Sequence, residues 1–171
     1  MSLSDFGSIA LRRLLDEHAD AVLATHAHRG DATALVERGA LARVLRFLRD
    51  DPACGFAMLA DLCAVDYLGM AGDTDAALGR FEVVYHLLAP ETLARVRVKA
   101  RVPADAPEAS SVCAIWPAAN WMEREVFDLY GIRFAGHPDL RRLLLYDEFE
   151  GHPLRKDYPK TRRQPLIGPG G

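Results

Sequence analysis

The strictest hydrophobic pattern in the chain lies between Ala94 and Val102. There Val96, Val98, Ala100 and Val102 alternate with Arg95, Arg97, Lys99 and Arg101. A period of two predicts a strand with one buried face and one wet, charged face. Arg80–Leu88 repeats the period with Phe81, Val83, Tyr85 and Leu87. The short Ala89–Leu93 link between the two predicts an antiparallel hairpin. Upstream, Ala21–His28 and Ala32–Arg38 read as strands flanking Arg29-Gly30-Asp31, where glycine permits the turn. Val112–Trp116 reads as a further strand.

Helical spacing appears in three places. Phe6, Ile9, Ala10 and Leu14, with Leu11 and Leu15, predict a helix over about Asp5–His18. Leu41, Val44, Leu45 and Leu48 predict a second over Ala40–Arg49, preceded by Gly39 and ended by Asp51-Pro52. Met122, Val126, Leu129 and Tyr130 predict a third over Trp121–Tyr130. Asn120 is its expected N-cap, Glu123 the capping partner at N3, and Gly131 the stop. Arg124 and Asp128, four apart on the opposite face, are expected to pair. The apolar run Phe56–Leu68 is expected to contain a short helix, and Gly69–Gly79 to be a mobile loop.

These elements predict an α+β fold. A mixed or antiparallel sheet of four or five strands packs with helices, and a C-terminal helix leads into an extended arm. The arm is marked by a change of composition. Residues 138–171 carry five of the chain's ten prolines, which favour extended or turning backbone. Residues 116–158 hold eight of its fourteen aromatics, together with Arg124, Arg133, Arg141, Arg142 and Arg155. Aromatic and arginine side chains are what partner-facing surfaces enrich. The expected division is residues 1–131 as a domain and 132–171 as an arm that needs another surface to order it.

Charge sharpens this picture. The net charge of −3 is the sum of −6 over residues 1–93, +4 over 94–102, −5 over 103–154 and +4 over 155–171. Two basic segments in an acidic body do not indicate a uniform nucleic-acid surface. An RNA-binding module using Arg95–Arg101 and the basic tail is the reading from another class. It lacks the interleaved aromatics that stack bases.

Candidate chemistry is thin. No apolar run approaches the ~18 residues of a membrane span, and residues 1–20 lack a signal-peptide pattern, so folding in the cytosol is expected. Cys54, Cys63 and Cys113 form no CxxC, and three thiols do not supply an ordinary iron–sulfur cluster; they are expected to be buried small hydrophobes. His137 and His152, each in a Gly-His-Pro turn, match no zinc spacing, so no metal site is expected. Glu123, Glu125 and Asp128 would suit acid–base work, but Glu123 has a cap to make and Asp128 has Arg124 in reach. GxSxG, GxGxxG and GxxxxGK[ST] are absent.

One block of residues is far more specific. Glu123-Arg124-Glu125-Val126-Phe127-Asp128-Leu129-Tyr130-Gly131-Ile132 is followed by Phe134 and then Gly136-His137-Pro138-Asp139-Leu140-Arg141-Arg142-Leu143-Leu144. Gly151-His152-Pro153-Leu154-Arg155-Lys156-Asp157-Tyr158-Pro159 continues it. This resembles the signature of the C subunit of NADH–quinone oxidoreductase, respiratory complex I. The resemblance is dense over residues 116–160 and looser, but in order, over Leu62–Tyr67, Arg80–Leu87 and Arg95–Pro103. The same signature is shared by components of related membrane-bound hydrogenases and of ferredoxin- or F420-dependent dehydrogenases.

The resemblance implies a non-catalytic structural subunit of the hydrophilic arm of a proton-translocating complex. Such a chain binds no cofactor; FMN, iron–sulfur clusters and quinone belong to partner subunits. Its implied partners are the large D subunit, which forms the quinone pocket, and the cluster-bearing B and I subunits. Its implied place is peripheral, on the cytoplasmic face of the cell membrane. Glu123, Arg124, Glu125, Asp128, His137, Arg141, Arg142, His152, Arg155, Lys156 and Tyr158 are implied to order and dock the arm.

Overall fold

A computed structural model describes residues 3–71 and 76–164. The element order is α1 (Leu3–His18), β1 (Val22–His26), β2 (Thr33–Val36), α2 (Leu41–Asp50), β3 (Met58–Asp66), β4 (Phe81–Ala89), β5 (Ala94–Val102), β6 (Glu108–Ser110), α3 (Ala119–Tyr130) and β7 (Arg133–Ala135). The main sheet runs β1-β2-β5-β4-β3, and β6 pairs with β7 in a second, two-stranded sheet. β2 lies parallel to β5, while the other pairs of the main sheet are antiparallel. The expected α+β class with a mixed five-stranded sheet is what the chain forms. The expected side-chain packing of Phe6, and residues 72–75 of the expected Gly69–Gly79 loop, lie outside the described residues, as do arm residues 165–171.

Cross-strand register explains the core. Tyr85 faces Leu62 and Val98, and Val83 faces Ala64 and Ala100. These residues pack with Ala10 and Leu14 of α1, Leu41, Val44, Leu45 and Leu48 of α2, and Ala119 and Val126 of α3. Burial of a full Leu or Phe side chain contributes roughly 1.5–3 kcal/mol. The periodic apolar positions therefore decide the sheet and the helices.

Three local expectations are corrected. Phe56–Leu68 contains β3 and no helix. A β-bulge between Leu59 and Asp61 breaks its period of two, so the alternation is hidden in the one-dimensional pattern. Val112–Trp116 is a turn, closed by the Ile115 and Trp116 N–H groups on the Val112 carbonyl, and the strand lies earlier at β6. α3 starts at Ala119, so Asn120 is inside the helix and Glu123 caps nothing.

The charged side of β5 is wet only at one end. Arg95 is exposed, whereas Arg101 is 4% exposed. Glu82 lies directly across from Arg101 and also meets Lys99 at 3.0 Å. The Arg101 guanidinium sits over the Tyr67 ring at 4.0 Å, and the Tyr67 hydroxyl donates to Glu82. Arg97 pairs with Asp31 at 3.1 Å. The chain's own acids thus neutralise Arg97, Lys99 and Arg101.

Candidate functional site

The residues of the signature block converge on α3, whose polar side is more buried than its sequence suggests. Glu123 and Asp128 are both 0% exposed and Arg124 is 7% exposed. A buried charge is costly unless its lone pairs or protons are all engaged. Each of the three is engaged by a different stretch of backbone.

Glu123 holds the turn before α3. Its carboxylate accepts from the Val112 N–H and the Ser111 hydroxyl, both at 2.7 Å, and from the Cys113 thiol. Burial nonetheless wins over these donors and raises its pKa above the ordinary value.

Asp128 holds the arm. One oxygen accepts from the Leu143, Leu144 and Leu145 N–H groups at 2.8–3.0 Å, and the other meets Arg142 at 2.9 Å. Burial pushes its pKa up, but the three N–H donors and Arg142 overcome it, and the net shift is downward. Arg142 also donates to the Phe149 carbonyl. Arg124 reaches past Asp128 to donate to the Arg141 and Arg142 carbonyls, and its guanidinium lies over the Trp121 ring. The expected Arg124–Asp128 pair therefore does not form, because each finds better-placed partners in the arm.

The end of α3 is closed by the arm as well. The last four carbonyls of a helix have no partner within it. Here Phe127 accepts from the Gly131 N–H, Asp128 from His152 Nδ1, Leu129 from the Leu154 N–H and Tyr130 from Arg155 Nε. The Gly-His-Pro-Leu-Arg stretch is thus a helix cap whose side-chain donors lie 24 and 25 residues downstream of the carbonyls they reach. His152 must carry its proton on Nδ1 to donate. Burial lowers the His152 pKa, so the ring is neutral at pH 7. Gly131 is in the left-handed region, at φ 72°, and a Cβ there would sit 2.5 Å from His152 Nε2 and 2.6 Å from Arg155 Nη2. Gly131→Ala is expected to cost about 1–2 kcal/mol for the backbone alone. Displacement of His152 and Arg155 adds to that, read as a lower denaturation midpoint and faster tryptic cleavage after Arg155.

A third anchor lies on the sheet. Asp66, at the end of β3, accepts from the Lys156 and Leu68 N–H groups and from Arg80 at 2.6 and 2.8 Å. Arg80 spans from Asp66 to Asp157 of the arm. Burial opposes the Asp66 charge, but Arg80 and the two N–H groups bring its pKa down to about 2.

None of these carboxylates is placed to exchange a proton with a substrate, since their oxygens are occupied as acceptors of backbone and arginine donors. The cysteines offer no reactive thiolate. Burial pushes Cys54 up to about 12 and raises Cys63 and Cys113. Cys54 is buried as expected, whereas Cys63 and Cys113 are half-buried. Cys113, Glu123 and His137 lie close enough to share a metal ion. Every candidate ligand is already hydrogen-bonded: His137 Nε2 donates to the Asn120 carbonyl and Nδ1 accepts from the Asp139 N–H.

A model of the family described as respiratory-chain NADH dehydrogenase, 30 kDa subunit, matches residues 34–164. The chain belongs to this family. Among curated proteins of the 30 kDa subunit family, the NADH-quinone oxidoreductase C subunit from Methylobacterium sp. (strain 4-46) is 48% identical over 162 residues, covering 92% of this chain and 72% of that protein. Its counterpart from Hyphomonas neptunium is 50% identical over 142 residues, covering 83% of this chain and 66% of that protein. The chain thus spans about two-thirds to three-quarters of the length of these relatives. Among solved structures, a trypsin-resistant fragment (1–134) of Nqo5 aligns with TM-score 0.62 and 33% identity, over 77% of this chain and 99% of that one. A chain of the membrane-bound sulfane sulfur reductase, an archaeal respiratory membrane complex, aligns with TM-score 0.72 and 25% identity, over 91% of this chain and 86% of that one. No helix among the described residues is long and apolar enough to cross a membrane.

Of the residues singled out by sequence, the structure brings Glu123, Arg124, Asp128, His137, Arg142, His152 and Arg155 around α3. Glu125 stands apart, exposed and without a hydrogen bond or ion pair among the described residues. Arg141 is also outward, with its side chain 72% exposed and paired only to Asp139. Lys156 contributes its backbone N–H and leaves its side chain exposed. Tyr158 stacks on Phe149, and its hydroxyl accepts from Gln164. Sequence reasoning missed Asp66, Arg80, Asp157 and Ser111. Asp157 lies within the signature block, but Asp66 and Arg80 carry no local signal of their role.

Proposed function

We propose that this chain is a non-catalytic docking subunit of a proton-translocating NADH–quinone oxidoreductase, with the segment 132–171 as the docking arm. One observation carries this reading. The buried carboxylates Asp66 and Asp128 hold the arm by its backbone, which leaves large apolar side chains facing outward. Leu144 is 62% exposed, Leu154 47% and Tyr146 36%, beside Trp121 of α3 at 62%. Rigid, outward apolar and aromatic groups on an anchored segment are what an interface core needs. The arm is pre-ordered by the chain itself, so less conformational entropy is lost when a partner covers it.

In this reading the partners are the quinone-pocket D subunit and the cluster-bearing B and I subunits. FMN, the iron–sulfur clusters and quinone all belong to other chains. The chain sits peripherally on the cytoplasmic face of the cell membrane, and NADH oxidation is a property of the complex. The resistance to trypsin of the Nqo5 fragment (1–134) supports a body that is stable apart from the arm. The likeness to the sulfane sulfur reductase chain supports one scaffold serving several membrane complexes. The pairing of Arg97 and Lys99 with Asp31 and Glu82 removes support from the RNA-binding reading.

The test is co-expression with the D, B and I subunits of the same source. Leu144→Asp with Leu154→Asp is expected to cut recovery of the assembled subcomplex at least about tenfold, from the loss of two buried apolar contacts. The thermal midpoint of the isolated chain should stay within about 1–2 °C of wild type, because both side chains are exposed. Undiminished assembly would sink the docking role.

A further inference from the structure

We propose that Asp61, Cys63 and His86 form a transition-metal site suited to Zn²⁺, with three protein ligands and a fourth position open to water. The three side chains stand on two paired strands. Asp61 lies directly opposite His86, and Cys63, two residues further along β3, carries its side chain to the same face as Asp61. One ligand atom from each falls within 4.8 Å of the other two.

Two further observations separate this trio from chance. The β-bulge between Leu59 and Asp61 is what puts Asp61 there. Leu59 faces the core, and uninterrupted alternation would turn Asp61 inward too. The extra residue, Ala60, turns it instead to the side of His86 and Cys63. The second observation is that all three ligand atoms are uncommitted. No hydrogen bond or ion pair engages the side chains of Asp61, Cys63 or His86 among the described residues. Nearby cations have partners of their own, Arg97 with Asp31 and Lys99 with Glu82. The rival trio of Cys113, Glu123 and His137 has all its ligand atoms engaged.

The donor set selects the ion. A thiolate, an imidazole and a carboxylate together suit Zn²⁺, and three protein ligands with one open position describe an accessible rather than a closed structural site. His86 is held below its ordinary pKa by burial and the nearby Arg97, so its lone pair is free at pH 7. Binding deprotonates the Cys63 thiol, and that proton leaves to solvent. Asp61 is exposed and the other two are half-buried, so an ion has a path in.

The experiment titrates the reduced, untagged full chain with Co²⁺ and then displaces it with Zn²⁺. A thiolate-to-cobalt charge-transfer band in the near ultraviolet, with visible bands of tetrahedral intensity, is expected and should be abolished by Zn²⁺. Cys63→Ser should remove the charge-transfer band. His86→Ala and Asp61→Ala should weaken binding by about a hundredfold or more, beyond the 10–100-fold cost of losing an outer-shell partner. Asp61 is exposed, so its variant reads the site even where Cys63→Ser perturbs folding. Cys113→Ser should leave the band in place. Absence of a charge-transfer band at saturating Co²⁺, its survival in Cys63→Ser, or its loss in Cys113→Ser would each overturn the proposal.

Discussion

Asp128→Ala is expected to free the arm while leaving the sheet folded. The substitution removes the acceptor of three N–H groups at Leu143, Leu144 and Leu145 and the partner of Arg142. Arg142 is largely buried, and stranding one member of a buried pair costs about 3–5 kcal/mol. The arm can escape part of that cost by detaching, because water then solvates the same groups. The loss therefore appears chiefly as local opening. An opening made easier by about 3 kcal/mol corresponds to about a hundredfold more cleavable arm. The rate of tryptic cleavage after Arg141 and Arg142 should rise by that order when cleavage is slow against reclosing. Amide exchange in β4 and β5 should change little. An unchanged cleavage rate would show that Asp128 is not the anchor.

Asp66→Ala carries the second large effect. It strips Arg80 of two hydrogen bonds and leaves the Lys156 and Leu68 N–H groups without their acceptor. Arg80 keeps Asp157, so the expected cost is about 2–4 kcal/mol. The acid limb of stability provides an independent readout. The Asp66 pKa falls from an ordinary 3.8 to about 2 in the folded chain. A depressed carboxylate contributes its stability fully above the unfolded value and loses it as pH falls through the folded one. That contribution, about 2 kcal/mol, should disappear between about pH 4 and pH 2 in wild type. The acid limb should be shallower in the variant. Asp128 is shifted the same way and adds to the wild-type loss. Denaturant midpoints collected across that window would decide it; parallel acid limbs in the two proteins would contradict the role of Asp66.

The same geometry separates two arginines that are adjacent in sequence. Arg142 is an internal strut on Asp128, whereas Arg141 is outward. Replacing both together would therefore mix a folding defect with any docking defect. The exposed Leu144 and Leu154 give the cleaner test of docking.

The hydrophobic pattern alone determined most of the scaffold. The alternation of Val96 to Val102 against Arg95 to Arg101, and of Phe81 to Leu87, placed β4 and β5 within a residue of their observed ends. Leu41, Val44, Leu45 and Leu48 did the same for α2. Burial of a periodic face is a local property of sequence, so it can be read without knowing what covers it. The signature block likewise marked α3 and the arm as one unit.

What the polar residues do was decided only in three dimensions. Glu123 and Asp128 sit at positions that fit a cap and an i,i+4 ion pair, and each does something else. Their partners, at 111–113 and 142–145, are brought in by the turn before α3 and by the returning arm. Arg101 belongs to a stripe that reads as wet, yet Glu82 and Tyr67 cover it from other elements. Asp66 and Lys156 are 90 residues apart, and Asp61 meets His86 only across a bulged strand pair. A polar group must find a partner wherever the fold buries it, and that partner is set by distance in space. Periodicity along the chain carries no record of it.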